Sequence, residues 1–190
     1  MNRIRCANGN DAEGILAIYA PIVRDTAISF EVEPPTLAEM RRRIESTVIE
    51  FPWLVCESNR GIEGYAYASR HRERAAYQWS ADVSVYVAAD SRRKGLGRGL
   101  YAPLLGVLVD LGYYSALAGI GLPNPGSVAL HESMGFRPIG VYRNIGYKMG
   151  AWRDVGWWQC PLREYGDKPE APRTMTEYVG SSEMRKRLES

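Results

Sequence analysis

Apolar residues recur at helical spacing in the first quarter of the chain and predict two helices. Asn10 caps the first, with Glu13 three residues later as its reciprocal partner, and Pro21 lies just past its end. Thr36 and Glu39 form the same capping signature at the start of the second helix. The residues between the two helices, 22–35, are expected to form a loop.

Two further helices are predicted in the second half. Leucines at helical spacing indicate a helix that follows Gly99 and ends at Gly112, and Pro103 within it predicts a kink or a shifted start. The next helix is capped by Asn124 or Ser127 and runs to a glycine stop in the sequence His-Glu-Ser-Met-Gly.

Short runs of β-branched and aromatic residues predict seven strands, several of them bounded by turn residues. The strands are Arg3–Cys6, Trp53–Glu57, Ile62–Ser69, Gln78–Val87, Ser115–Ile120, Arg137–Tyr147 and Trp152–Leu162. Their order among the helices fits an α/β (α+β) fold with a single mixed sheet and helices on both faces. Residues 1–165 form this domain. Residues 166–190 are rich in proline and charge, and they predict a polar, disordered tail unless another surface, such as a partner subunit, orders them.

Composition excludes several classes of protein. The chain has 190 residues, 45% of them hydrophobic, and a net charge of +2, which is too small to indicate a nucleic-acid-binding protein. Its apolar stretches are interrupted by prolines, glycines and Asp110, so no membrane span is expected. Three widely spaced cysteines and two histidines predict free thiols in a reducing cytoplasm and no metal site.

The strongest chemical signal is a strand that leads through a basic, glycine-bearing turn into the leucine-rich helix. Glycines let a ligand approach the backbone, and free N–H groups at a helix start attract anions, so the segment predicts a pyrophosphate site. A solvated basic turn with a glycine cap is the alternative. The segment comprises Val85, Tyr86 and Val87, followed by Arg92, Arg93, Lys94, Gly95, Leu96, Gly97 and Arg98.

This segment resembles the coenzyme A loop of the GNAT N-acetyltransferases. Other stretches resemble the phosphinothricin and methionine sulfoximine acetyltransferase branch of that family, and the likeness spans about residues 3–163. They include Ser29-Phe30-x-x-Glu33-Pro34, Phe51-Pro52-Trp53-Leu54-Val55, Ser84-Val85-Tyr86-Val87, Gly121-Leu122-Pro123-Asn124, Leu130-His131-Glu132-x-x-Gly135-Phe136 and Gly146-Tyr147-Lys148-x-Gly150-x-Trp152.

The resemblance implies a GNAT fold whose sheet splays at an acetyl-CoA site. Pantetheine would lie in the gap along Val85–Val87, the pyrophosphate on residues 92–98, and Asn124 would reach the coenzyme from the end of the next strand. Asn124 can serve at the same time as a plain helix cap.

Acetyl transfer requires that the acceptor amine lose a proton, so a base is needed within reach. In this branch a strand glutamate is the proposed base, and its position is occupied here by Asp82. The shorter side chain favours a relaying water, and a merely hydrogen-bonded strand carboxylate is the alternative. His131 is the second candidate, with a packing role as its alternative.

The acceptor is expected to be a small zwitterion with a second oxyanionic group. Residues 69–74 form a basic loop, and arginine forks match carboxylates and phosphinates. By resemblance, Phe30 closes the pocket with an apolar wall, and its border comprises Arg72, Glu73, Arg74, Asp82, Val83 and Ser84.

The resemblance therefore implies an enzyme that acetylates the α-amine of an amino acid such as phosphinothricin, methionine sulfoximine or methionine sulfone. Two alternatives remain, a protein N-terminal or lysine acetyltransferase and a non-catalytic acyl-CoA-binding module. The many aromatic residues late in the chain suggest a homodimer.

Overall fold

One seven-stranded mixed sheet organises the chain in a computed structural model that describes residues 2–189. Its strand order is β1-β2-β3-β4-β5-β7-β6, which confirms the single mixed sheet. The strands are β1 (Arg3–Cys6), β2 (Trp53–Ser58), β3 (Gly61–Arg70), β4 (Ser80–Val87), β5 (Ser115–Leu122), β6 (Arg137–Lys148) and β7 (Ala151–Pro161).

Within residues 2–189, six helices pack on the two faces of this sheet, and each face has its own apolar core. Side chains of the first two helices pack with one face, and those of the third and the C-terminal helices pack with the other. The helices are α1 (Ala12–Asp25), α2 (Leu37–Glu50), α3 (Leu96–Leu111), α4 (Pro125–Ser133), α5 (Met175–Tyr178) and α6 (Ser182–Glu189).

Several predicted helix ends are confirmed. The Thr36 hydroxyl accepts a hydrogen bond from the Glu39 amide at 3.2 Å at the start of α2. Gly112 ends α3 in the left-handed region with φ +102, which glycine adopts without steric cost. Helix α3 runs through Pro103.

The start and end predicted for α1 were wrong. A 3₁₀ turn precedes the helix, and its cap is Asn8, which forms a reciprocal box with Asp11. The helix also continues past Pro21 to Asp25, because Ile22 and Val23 extend its buried stripe and this packing outweighs the hydrogen bond that proline cannot make.

The sheet opens between β4 and β5. Their parallel pairing covers only three residue pairs, from Ser80 with Ser115 to Asp82 with Leu117. Beyond Asp82 the strands diverge, so the main-chain groups of residues 83–87 that face β5 have no ladder partner on it. The gap is the predicted splay.

The prediction of a disordered tail was also wrong. Met175, Tyr178 and Met184 are buried in the core that α3 forms with the sheet. Asp110 on α3 accepts hydrogen bonds from the Tyr178 hydroxyl at 2.6 Å and from the Arg187 guanidinium at 2.8 and 2.9 Å. The segment is therefore packed against its own chain.

Candidate active site

A cavity of about 460 Å³ occupies the gap between β4 and β5. The loop before α3 and the first turns of α3 and α4 complete its walls. Of the residues predicted to contact coenzyme or acceptor, those that line it are Val83, Ser84, Val85, Tyr86, Val87, Arg92, Arg93, Gly95, Leu96, Gly97, Arg98, Asn124 and His131. Most of the predicted coenzyme segment is therefore brought together around one space.

The loop that enters α3 is shaped to receive an anion. Gly95 is the N-cap residue, its φ is +81, and no side chain caps the first turn. Arg93 also has a positive φ of 59. The N–H groups at the start of α3 are thus left for another acceptor, beside Arg92, Arg93 and Arg98. Lys94 lies apart from the cavity lining, because its ammonium donates to the carbonyl oxygen of Asp90 at 2.7 Å.

Asn124 caps α4 and settles the choice between the two predicted caps. Its Oδ1 accepts a hydrogen bond from the Ser127 amide at 3.2 Å. Since Asn124 also lines the cavity, capping and contact with a ligand are compatible at this position.

Both ring nitrogens of His131 are engaged by the protein. Nδ1 donates to the carbonyl oxygen of Ser127 at 2.7 Å, and Nε2 lies 2.9 Å from the Tyr101 hydroxyl, which donates to it. Burial lowers the pKa of His131, so the neutral ring is favoured. This arrangement favours packing and positioning over direct proton transfer.

The same cavity opens as a recess on the face of the sheet that carries α1 and α2, where Ser84, Gly119 and Gly121 line it. Gly119 is exposed although β5 is a central strand, and side-chain alternation places Asp82 and Ser84 of β4 on the same face. Trp157 is the direct register partner of Gly119 on β7, and a Cβ added at Gly119 would lie 3.2 Å from its ring. Glycine thus forms the floor of this recess and the indole forms one wall.

Asp82 is paired with an imidazole that the sequence did not link to it. Asp82 Oδ1 lies 2.6 Å from Nδ1 of His71, the residue that follows β3. Burial raises the pKa of Asp82, and the hydrogen bond from His71 opposes that shift.

The remaining predicted acceptor residues, Phe30, Arg72, Glu73, Arg74 and Asp82, are not among the residues that line the cavity. The Arg72 guanidinium lies 5.9 Å from the centre of the Trp157 ring. Glu73 and Arg74 are exposed in the loop before β4. Arg70 lies apart from the others because its guanidinium binds Glu50 at 2.6 Å.

Phe30 stands at the opposite end of the recess. Its ring lies 3.5 Å from the Cβ that an alanine at Gly121 would carry, and it packs directly over Gly146. The buried ammonium of Lys148 donates to the carbonyl oxygens of Val23 and Ser29, both at 2.7 Å, and so holds the Phe30 loop in place.

Residues 2–189 carry neither a membrane-spanning helix nor a cluster of metal ligands. No helix there is long and apolar enough to cross a membrane. No group of three or more His, Cys, Asp or Glu side chains in that range is placed to hold a metal ion.

Comparison with known proteins agrees with this geometry. Residues 4–157 match the family model described as an acetyltransferase (GNAT) domain. A phosphinothricin N-acetyltransferase of Streptomyces viridochromogenes is 38% identical over 170 residues, which cover 90% of this chain and 91% of the relative. An L-methionine sulfoximine/L-methionine sulfone acetyltransferase of Salmonella typhimurium is 31% identical and covers 85% of this chain and 95% of its own length.

A solved structure is similar over the same region. It is a GNAT superfamily phosphinothricin acetyltransferase from Sinorhizobium meliloti in complex with acetyl-CoA, with a TM-score of 0.84 and 35% identity. The alignment covers 89% of this chain and 93% of that one.

Proposed function

The chain belongs to the GNAT acetyltransferase family, and from that premise we propose that it moves acetyl from acetyl-CoA to the α-amino group of a small amino acid. Phosphinothricin, methionine sulfoximine and methionine sulfone are the acceptors we propose. The observation that carries the proposal is the opening between β4 and β5, which joins an anion-binding loop at one end to a recess with a carboxylate at the other.

The residues of the opening suit the coenzyme. The uncapped start of α3, with Arg92, Arg93 and Arg98, would hold the pyrophosphate. The unpaired main-chain groups of Val85–Val87 would bind pantetheine as a neighbouring strand does, and Asn124 would contact it from the β5 side. When bound, acetyl-CoA supplies an acetyl group activated as a thioester.

The recess suits an amino acid. Arg72 and Arg74 would bind the acceptor's carboxylate or its second oxyanion, Ser84 would offer a polar contact, and Phe30 would cover the apolar part of its side chain. The carboxylate of Asp82, at the last residue of β4 that pairs with β5, is the group on which removal of the amine proton would depend. The acceptor's chemistry follows from these charges, since a lysine or a protein N-terminus would favour an acidic groove.

A free-thiol assay with acetyl-CoA and a panel of amino acids tests the proposal. The panel contains proteinogenic amino acids together with sulfone, sulfoximine and phosphinate analogues. We expect thiol release with at least one glutamate-like or methionine-like acceptor. Tight acetyl-CoA binding without thiol release on the whole panel would support the non-catalytic alternative.

A homodimer is the second part of the proposal. Strand β6 is the edge of the sheet and is exposed along almost its whole length. Large apolar side chains on this edge and on its hairpin partner β7 are also exposed, among them Ile139, Ile145, Tyr147 and Trp152. A long apolar edge of this kind is usually covered by a partner.

Light scattering tests the dimer. We expect twice the mass of one chain for the wild type and a shift toward the monomer for Ile139→Glu combined with Ile145→Glu. Ile49→Glu, on the equally exposed surface of α2, is the matched control. A monomeric wild type at all concentrations would contradict this part of the proposal.

The third part of the proposal is that the protein is located in the reducing cytoplasm. Cys6, Cys56 and Cys160 are free thiols in the structure, and burial raises the pKa of each. Fractionation of cells that express the native gene, with the enzyme recovered from a periplasmic or secreted fraction, would contradict this placement.

A further inference from the structure

The recess on the α1 and α2 face holds a pair of side chains with the geometry of a proton relay. Asp82 is the last β4 residue that pairs with β5, and Val83, the next residue, lines the coenzyme cavity. The pair of Asp82 and His71 therefore lies at the point where the two strands part.

The hydrogen bond between the two side chains determines that Nδ1 of His71 carries a hydrogen. An ionised carboxylate only accepts hydrogen bonds, so Nδ1 of His71 carries the hydrogen that is shared with Asp82 Oδ1 at 2.6 Å. In a neutral ring the other nitrogen, Nε2, is then an acceptor. Among residues 2–189 that nitrogen has no hydrogen-bond partner, whereas both nitrogens of His131 have one.

Neighbouring aromatic side chains pack against the His71 ring without forming a hydrogen bond to Nε2. Tyr77 and Trp157 contact it edge-on, with ring centres 5.9 and 6.0 Å away. Besides Asp82, the charged group that faces the pair is Arg72, whose guanidinium donates to the main-chain oxygen of His71 at 2.9 Å. The ring is 12% exposed, so it is held by packing yet open on one side.

From this arrangement we infer that His71 takes the amine proton of the acceptor at Nε2, directly or through one water, and that Asp82 is the positioning residue that orients the ring. The inference rests on the proposed acetyl transfer and adds the residue that handles its proton. A short aspartate can serve in this way because it needs to reach only the imidazole.

The proton and the bonds balance along this route. The ammonium group gives one proton to Nε2, and the free amine forms the C–N bond with the acetyl carbon. The C–S bond breaks, and the sulfur leaves with its electron pair. The nitrogen then loses its second proton to the departing sulfur, directly or through water, and the imidazolium of His71, stabilised by the carboxylate of Asp82, releases the first proton to solvent.

Kinetics of His71→Gln, Asp82→Asn and the double variant test the inference. With the best acceptor of the panel, we expect His71→Gln to lower kcat at pH 7 by at least 100-fold, and the loss to shrink as pH rises and the free amine becomes abundant. The double variant should be no slower than His71→Gln alone, because the two residues act as a unit. The dissociation constant for acetyl-CoA should stay unchanged.

Glu50→Gln is the matched control, because it removes a carboxylate that pairs with Arg70, the last residue of β3 and the neighbour of His71. We expect this variant to leave kcat unchanged. If His71→Gln keeps kcat within threefold of the wild type, or if the losses of the two single variants multiply, the inference is overturned. Asp82→Asn with a large loss and His71→Gln without one would assign the proton to Asp82 instead.

NMR of ¹⁵N-labelled histidine tests the same inference without any activity. The chain has two histidines, so His131→Gln assigns both rings. We expect the Nδ1–H tautomer for neutral His71 in the wild type and a change of the tautomer ratio in Asp82→Asn. A dominant Nε2–H tautomer in the wild type would overturn the inference even if no acceptor is found, whereas a silent panel alone would count against the proposed function.

Discussion

The two imidazoles of the chain differ in what their second nitrogen contacts. His131 has both nitrogens bound inside the protein, while His71 shares Nδ1 with Asp82 and, within residues 2–189, has no hydrogen-bond partner for Nε2. Sequence alone predicted the importance of Asp82 and of a basic loop, but it did not pair them. The two residues are eleven positions apart, and only the register of β3 with β4, in which Arg70 lies opposite Ala81, brings them together.

At the residue scale, we expect Arg72→Gln to raise the KM for the amino-acid acceptor at least tenfold and to leave the KM for acetyl-CoA unchanged. Arg72 is the guanidinium that lies beside Trp157 at the recess, and tenfold corresponds to about 1.4 kcal/mol of lost binding. Arg70→Gln is the control, since Arg70 is bound to Glu50. Equal acceptor KM values in the wild type and Arg72→Gln would remove this residue from the acceptor site.

A second prediction at this scale concerns acid stability. Burial lowers the pKa of His131 in the folded chain, so the unfolded chain binds that proton more readily. The contribution of the neutral ring is complete above the unfolded value of about 6.5 and is lost as pH falls below it. We expect Tm to fall between pH 7.5 and pH 5.5 by less in His131→Gln than in the wild type. Parallel pH profiles would contradict it.

At the scale of the elements, the helix ends explain where prediction from sequence works. Thr36 and Asn124 cap as expected because their signals lie within three residues of the bonds they make. The start of α1 was missed because a 3₁₀ turn at Gly9–Asp11 shifts the cap, and Asp11 is also held by Arg5 from β1 at 2.7 Å. That partner comes from tertiary structure and leaves no local signal.

The glycines at the start of α3 differ in whether they can take a side chain next to the coenzyme cavity. We expect Gly97→Val to raise the KM for acetyl-CoA at least tenfold, because Gly97 lines the cavity and a Cβ there would already lie 2.9 Å from Leu130. Gly99→Val in the same helix is the control. A Cβ at position 99 would meet nothing within 4 Å. Valine at either position loses the same helix propensity, because its side chain is branched at Cβ. Similar acetyl-CoA saturation in both variants would contradict the assignment of this helix start.

At the scale of the whole molecule, the C-terminal segment is part of the domain. Its buried residues are spaced through a polar stretch with two prolines, so composition indicated disorder although three large side chains enter the core. Asp110, read in the sequence as an interruption of an apolar run, is the residue that binds this segment. The single mixed sheet and the splay followed from pattern and resemblance, whereas this packing required the fold.

Removal of residues 166–190 should therefore lower Tm by about 10 °C or more, since burying each large side chain stabilises a fold by about 1.5–3 kcal/mol. Asp110→Asn should give a smaller decrease, because it weakens the contacts to Tyr178 and Arg187 but leaves the apolar contacts intact. Calorimetry of the three proteins measures both effects. An unchanged Tm after truncation would contradict the packing of the segment.

The proposed function requires that the recess on the α1 and α2 face accept a free amino acid. The most direct measurement is the kcat/KM of the wild type for methionine sulfone, for the amine that corresponds to it without the carboxylate, and for a short peptide with a free N-terminus. We expect methionine sulfone to be acetylated at least tenfold more efficiently than either, because Arg72 and Arg74 would bind its carboxylate. Equal or higher efficiency with the amine or the peptide would contradict it.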